Sequence, residues 1–120
     1  VHWTALQAGE CFDFRKEASQ EINDVNVVSC AESHHYEAFW IGAMPAGDWP
    51  TDAAATAFFD QTCIPAFDTY VGLDYDSSRW YAYWLAPAES AWAEGERTFL
   101  CYIGNATDTA MTGAAQGSQE

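Results

Sequence analysis

The sequence predicts an α+β domain in which a mainly antiparallel sheet packs against one principal, kinked helix and two disulfides tie the layers. Three observations carry this prediction. Short β-branched and aromatic runs recur along the chain, one long segment has helical spacing instead, and four cysteines lie in separate segments without a C-x-x-C pair.

The first run, "GECFDF", reads as a strand entered through Gly9, and the polar connection "EASQEIND" leads to a second strand, "VNVVSC". A hairpin-like pair would bring Cys11 near Cys30. In "YEAFWIGAM" strict alternation puts Tyr36, Ala38 and Trp40 on one face and Glu37, Phe39 and Ile41 on the other. Apolar groups on both faces predict a central strand.

The Pro, Gly and Asp of "MPAGDWPTD" mark a turn, after which Thr51 caps a helix over "DAAATAFFDQTCIPAFDTYVG" and Asp52 complements its positive end. Phe59, Cys63, Phe67 and Tyr70 or Val71 form its buried stripe, and Gly72 ends it. Pro65 lacks a backbone donor, which predicts a kink or a break into two helices.

"SSRWYAYWLAP" is the strongest strand signal, with Trp80, Ala82 and Trp84 on one face and Tyr81, Tyr83 and Leu85 on the other. "SAWAEGER" reads as a short helix or turn before the strand "RTFLCYIG". The tail "NATDTAMTGAAQGSQE" adds one strand near Met111 and then turns small and polar, so its last residues are expected to be loose.

A chain of 120 residues makes one domain over 1–120, with no internal repeat and no linker. Its 49% hydrophobic content supplies one core and argues against disorder. The 18 acidic residues against four Lys plus Arg give a net charge of -14, which excludes nucleic acid and anionic membrane surfaces as partners.

Cys11 with Cys30 and Cys63 with Cys101 would each join neighbouring elements, and disulfides place the domain in an oxidising compartment. Loop-closure entropy gives roughly 3 kcal/mol for the shorter loop and roughly 4 for the longer. No signal peptide and no membrane-spanning run is visible, so an exported domain of this kind implies a cleaved signal, lipid anchor or transmembrane helix upstream.

The segment "VVSCAESHHYEAFW" gathers Cys30, His34, His35 and Glu37. A zinc site would need three or four such ligands, but Cys30 is assigned to a disulfide and His2 lies at the terminus, so no metal is expected. His34 instead fixes the turn by bonding Glu37 or backbone carbonyls. No catalytic residue and no cofactor is expected: no two carboxylates are singled out, and the serine of "SHHYE" lacks a nucleophile-elbow context. "DYDSS" reads as a solvated turn, being only a fragment of a calcium loop, and "NAT" at Asn105 fits a glycosylation sequon. Arg97, one of few basic residues, is expected to pair with an acid. Trp80, Tyr81, Tyr83, Trp84 and Trp92 are read mainly as core, or else as an exposed platform for glycan or a protein partner.

The residues G9-x-C11-F12-D13, V28-S29-C30-x-x-S33-H34-x-x-E37, W49-P50, C63-x-x-x-F67-x-x-Y70-V71-G72, P87-x-x-x-x-W92-x-x-G95-x-R97-x-x-x-C101 and T112-G113-x-x-x-G117 together make a set. This set resembles the septum-formation domain family of actinobacterial cell-envelope proteins, over Gly9 to Gly117. The resemblance implies an extracytoplasmic domain tethered by an upstream helix or lipid anchor, and it makes Cys30, His34 and Glu37 a fold signature. Ser33 stands where the family pattern has proline, and Gln116 where lysine is usual.

The leading expectation is therefore a noncatalytic exported domain whose partners are envelope or division proteins. A glycan-binding module acting through exposed aromatics is the alternative, and a wall-polymer hydrolase the third reading. A glycan platform requires at least two of Trp49, Trp80, Trp84 and Trp92 to face solvent on one surface.

Overall fold

A computed structural model describes residues 2–14, 25–105 and 109–120. It contains strands β1 (Cys11–Phe14), β2 (Val25–Val28), β3 (Tyr36–Ala43), β4 (Trp80–Leu85) and β5 (Thr98–Asn105), with helices α1 (Asp52–Val71) and α2 (Glu89–Ala93). The strands form one sheet in the order β2-β1-β3-β5-β4, with every neighbouring pair antiparallel. The polar connection "EASQEIND" lies outside the described residues.

Helix α1 starts where the Thr51 hydroxyl accepts the Ala54 N–H at 3.1 Å, and it ends at Gly72, whose φ of 87° is cheap only for glycine. Ala55, Phe59, Cys63, Phe67 and Val71 recur every fourth residue and form its buried stripe. One α-helix runs through Pro65, so the chain does not break into two helices there. The missing Pro65 N–H removes a single hydrogen bond, while the stripe on either side stays seated on the sheet.

The stripe packs against Phe39, Trp80, Phe99, Cys101 and Ile103, and the Cys63–Cys101 disulfide ties helix to sheet at the centre of this core. Cys11–Cys30 ties β1 to the segment leaving β2. Both pairings are those the element layout predicts. The opposite sheet face carries Phe12, Val25, Ala38, Leu100 and Tyr102, covered in part by Trp3 and Leu6 from a short 3-10 turn at Trp3–Ala5.

Alternation fails in β3. Ala38 pairs with Tyr102, but the next paired residue is Trp40, opposite Cys101, so a bulge sits at Phe39. Phe39 and Trp40 consequently both join the helix-side core, and Ile41 packs on the opposite face. Strict alternation would have put Trp40 with Tyr36 and Ala38. In β4, Trp80, Ala82 and Trp84 face the helix while Tyr83 and Leu85 lie on the other side.

Candidate functional site

Glu37 is fully buried in β3, opposite Cys11 in the register with β1. Its Oε1 accepts the Ala115 N–H at 2.7 Å. Its Oε2 accepts the Tyr70 hydroxyl at 2.5 Å and the Gln116 N–H at 3.2 Å. Three donors from the last turn of α1 and from the C-terminal segment thus converge on one carboxylate, the arrangement a buried charge requires. Burial, then the hydrogen bond to Glu37, then its charge push the Tyr70 hydroxyl well above the usual phenol range.

His34 is also fully buried. Its Nδ1 lies 2.8 Å from the Glu32 carbonyl, which makes Nδ1–H the donor, and Nε2 has no partner among the described residues. The main chains of His34 and Met111 exchange two hydrogen bonds, of 2.9 and 2.7 Å, and the Gly113 N–H donates to the Cys30 carbonyl at 2.6 Å. The strand expected near Met111 is this single bridge. His34 therefore bonds a carbonyl rather than Glu37.

Further along, the Gly117 N–H bonds the Tyr70 carbonyl, the Gln119 N–H bonds the Val71 carbonyl, and Arg79 pairs with Glu120 at 3.2 Å. The residues expected to be loose are thus hydrogen-bonded against the end of α1. Gly113 and Gly117, with φ of 87° and 67°, let the segment turn between these contacts.

Cys11, Cys30 and Glu37 bring ligand-type atoms within 4.8 Å of one another. Both sulfurs are bonded to each other, so in the oxidised protein this trio offers a metal only a carboxylate already holding three donors. The 3.7 Å approach of the Cys11 sulfur to Glu37 is likewise a contact without a proton to donate.

Apart from this cluster, His35 gives its main-chain N–H and Nδ1 to Asp13, at 2.6 and 2.9 Å. Arg97 departs from expectation. Its Nη1 donates to the Trp92 and Glu96 carbonyls and its guanidinium lies 3.8 Å from the centroid of a Trp92 ring. Backbone carbonyls at and just past the end of α2 take the place of the expected acid, the Trp92 carbonyl also accepting the Gly95 N–H at 3.0 Å. Within Asp74–Ser78, Tyr75–Ser77 forms a 3-10 turn, with the Tyr75 N–H held by Asp68.

The aromatic residues separate by burial. Trp80 and Trp92 are 4% and 7% exposed, Trp84 and Tyr83 are half-buried, and Tyr81 is 50% exposed. Trp49 is 45% exposed. Trp80 and Trp92 thus belong to the core, and the residues missed by sequence reasoning are the backbone donors Ala115 and Gln116, which no side-chain pattern reveals.

The fold and site define a disulfide-tied α+β domain built around a buried carboxylate that anchors its own C-terminal segment. The chain belongs to the family described as Septum formation, matched over residues 4–120. No curated protein and no solved structure matches it. Family membership and two disulfides indicate an extracellular or cell-envelope location. Among the described residues no helix is long and apolar enough to cross a membrane.

Proposed function

We propose that this is a noncatalytic, exported domain that mediates protein interactions in an actinobacterial cell envelope, in a role connected with septum formation. It would be tethered there by an upstream helix or lipid anchor. The observation that carries the reading is the internal use of the chemistry-bearing cluster. Glu37 holds Tyr70, Ala115 and Gln116, the cysteines are closed in disulfides, and His34 is buried with Nδ1 on a carbonyl. These groups are spent on holding the fold, which leaves the surface for recognition.

The glycan-module alternative has less support, because Trp80 and Trp92 fill the core. A hydrolase reading would need a second carboxylate facing Glu37 across a cleft, and three donors already occupy Glu37.

The test is retention of the oxidised domain by solubilised envelope proteins and, separately, by purified cell wall. Saturable capture by a protein, lost in a variant that no longer folds, is expected. Release of soluble sugar from the wall would sink the noncatalytic reading, and saturable binding to wall alone would favour the glycan module.

A further inference from the structure

The loop between β3 and α1 is held at three points although it has no regular structure. The Met44 N–H donates to the Arg97 carbonyl at 2.8 Å, the Trp92 indole N–H to the Gly47 carbonyl at 3.0 Å, and the Trp49 indole N–H to the Pro87 carbonyl at 2.9 Å. Clamped this way, the loop presents Pro45, Ala46 and Trp49 to solvent. Leaving an indole 45% exposed forgoes apolar burial, and tying its N–H fixes the ring in place.

The other five tryptophans all have a partner for the ring. Trp3 meets His2, Trp40 meets Phe58, Trp84 stacks on Phe99, and Trp80 and Trp92 lie under Arg79 and Arg97. Trp49 has no ring or cation against it among the described residues. Exposed Asp48 and Asp52 flank it in sequence, and exposed Glu89 follows Pro87, to which its N–H is bonded. Arg97, whose carbonyl holds the Met44 end of the loop, is already committed through its guanidinium to Trp92 and two carbonyls.

We infer that the Trp49 ledge is a docking site for a basic segment of a partner protein, with an arginine or lysine lying on the free indole face and Asp48, Asp52 and Glu89 supplying charge complementarity. The inference rests on the interaction role proposed above and specifies its surface and the chemistry of its partner. A cation fits better than a sugar chain because a glycan platform needs neighbouring rings. Tyr81, the other strongly exposed aromatic ring, sits near the start of β4, roughly 15 to 20 Å of extended chain away from Pro87.

The test is titration of the nitrogen-labelled, oxidised domain with a blocked hexapeptide alternating arginine and glycine, followed through the Trp49 indole resonance. A saturable shift at Trp49 and in residues 45–52 is expected. Trp49→Ala should weaken binding about tenfold and Trp49→Phe much less, since a phenyl face retains part of the attraction. Asp48→Asn with Asp52→Asn should weaken it several-fold and flatten its salt dependence. Asp74→Asn with Asp76→Asn, at the far end of α1, removes equal charge and should leave the Trp49 response in place.

Peptide binding unchanged by Trp49→Ala would overturn the inference in favour of diffuse attraction to an acidic protein. So would a Trp49 response to an N-acetylglucosamine oligosaccharide but not to the peptide. Capture of an envelope protein that persists in Trp49→Ala would overturn the ledge while leaving the interaction role standing.

Discussion

The Tyr70 hydroxyl donates to the buried Glu37 carboxylate at 2.5 Å, joining the last turn of α1 to β3 on the helix side of the sheet. The same carboxylate accepts the amides of Ala115 and Gln116, so one side chain fixes three elements. Glu37→Ala would leave a hydroxyl and two amides without their acceptor. The expected cost is about 3 to 5 kcal/mol. Tyr70→Phe removes one donor and leaves two, for an expected loss of about 1.5 to 3 kcal/mol. Denaturant midpoints of both single variants and the double variant check this. A double-mutant cycle with no coupling would show that the contact does not act as a unit.

Alkaline pH should weaken the domain through the same pair. The folded state holds the Tyr70 proton more tightly than the unfolded chain, whose tyrosines ionise near pH 10. The sign follows from linkage: this stabilisation is fully present below about pH 10 and is lost as pH rises above it. Unfolding curves taken from pH 8 to 11 should therefore fall more steeply for the native sequence than for Tyr70→Phe. Parallel curves would remove Tyr70 as the source.

Gly42 is expected to tolerate no side chain. A Cβ there would lie 2.7 Å from Cη2 of Trp40, and one at Gly104 would lie 2.9 Å from Cε2 of Tyr83. Trp40 is edge-on to Phe58 in the helix-side core, and Tyr83 stacks on Tyr102, so either ring would have to give up a packed contact to make room. Gly42→Ala and Gly104→Ala should each cost about 1 to 3 kcal/mol. Thermal unfolding of the two variants measures it, and an unchanged Tm would mean that the rings relax freely.

The same two residues, Trp40 and Gly42, show where the sequence stops being legible. Periodicity suffices for α1 because every stripe residue faces one surface, and β4 follows its alternation because both of its faces are packed. In β3 a bulge adds one residue to the strand, and a period of two cannot signal its own interruption. Glu37 and His34 stand out in the sequence as a motif, yet the donors that satisfy Glu37 are largely main-chain amides of a small, polar segment. Composition reads that segment as loose because its anchoring comes from backbone groups. Trp3 and Leu6 escape notice for a related reason: a single 3-10 turn has no period to detect.

Removal of the C-terminal segment tests the anchoring most directly. Deleting residues 114–120 takes away the Ala115 and Gln116 amides, the bonds from Gly117 and Gln119 to the end of α1, and the Arg79–Glu120 pair. Glu37 would keep Tyr70 alone as a donor, and the groups uncovered beside it are those least able to stand apart from a partner. The loss should match or exceed that of Glu37→Ala. Deleting only Glu120 removes an exposed ion pair and the carbonyl that accepts the Arg79 N–H, and should cost about 1 kcal/mol or less. Hydrogen exchange in the domain without deletions supplies an independent reading. The Ala115 amide, buried and bonded to Glu37, should exchange far more slowly than neighbouring exposed amides, and Glu37→Ala should remove that protection. Fast exchange at Ala115 in the native protein would mean that the segment opens readily and that the carboxylate is held chiefly by Tyr70.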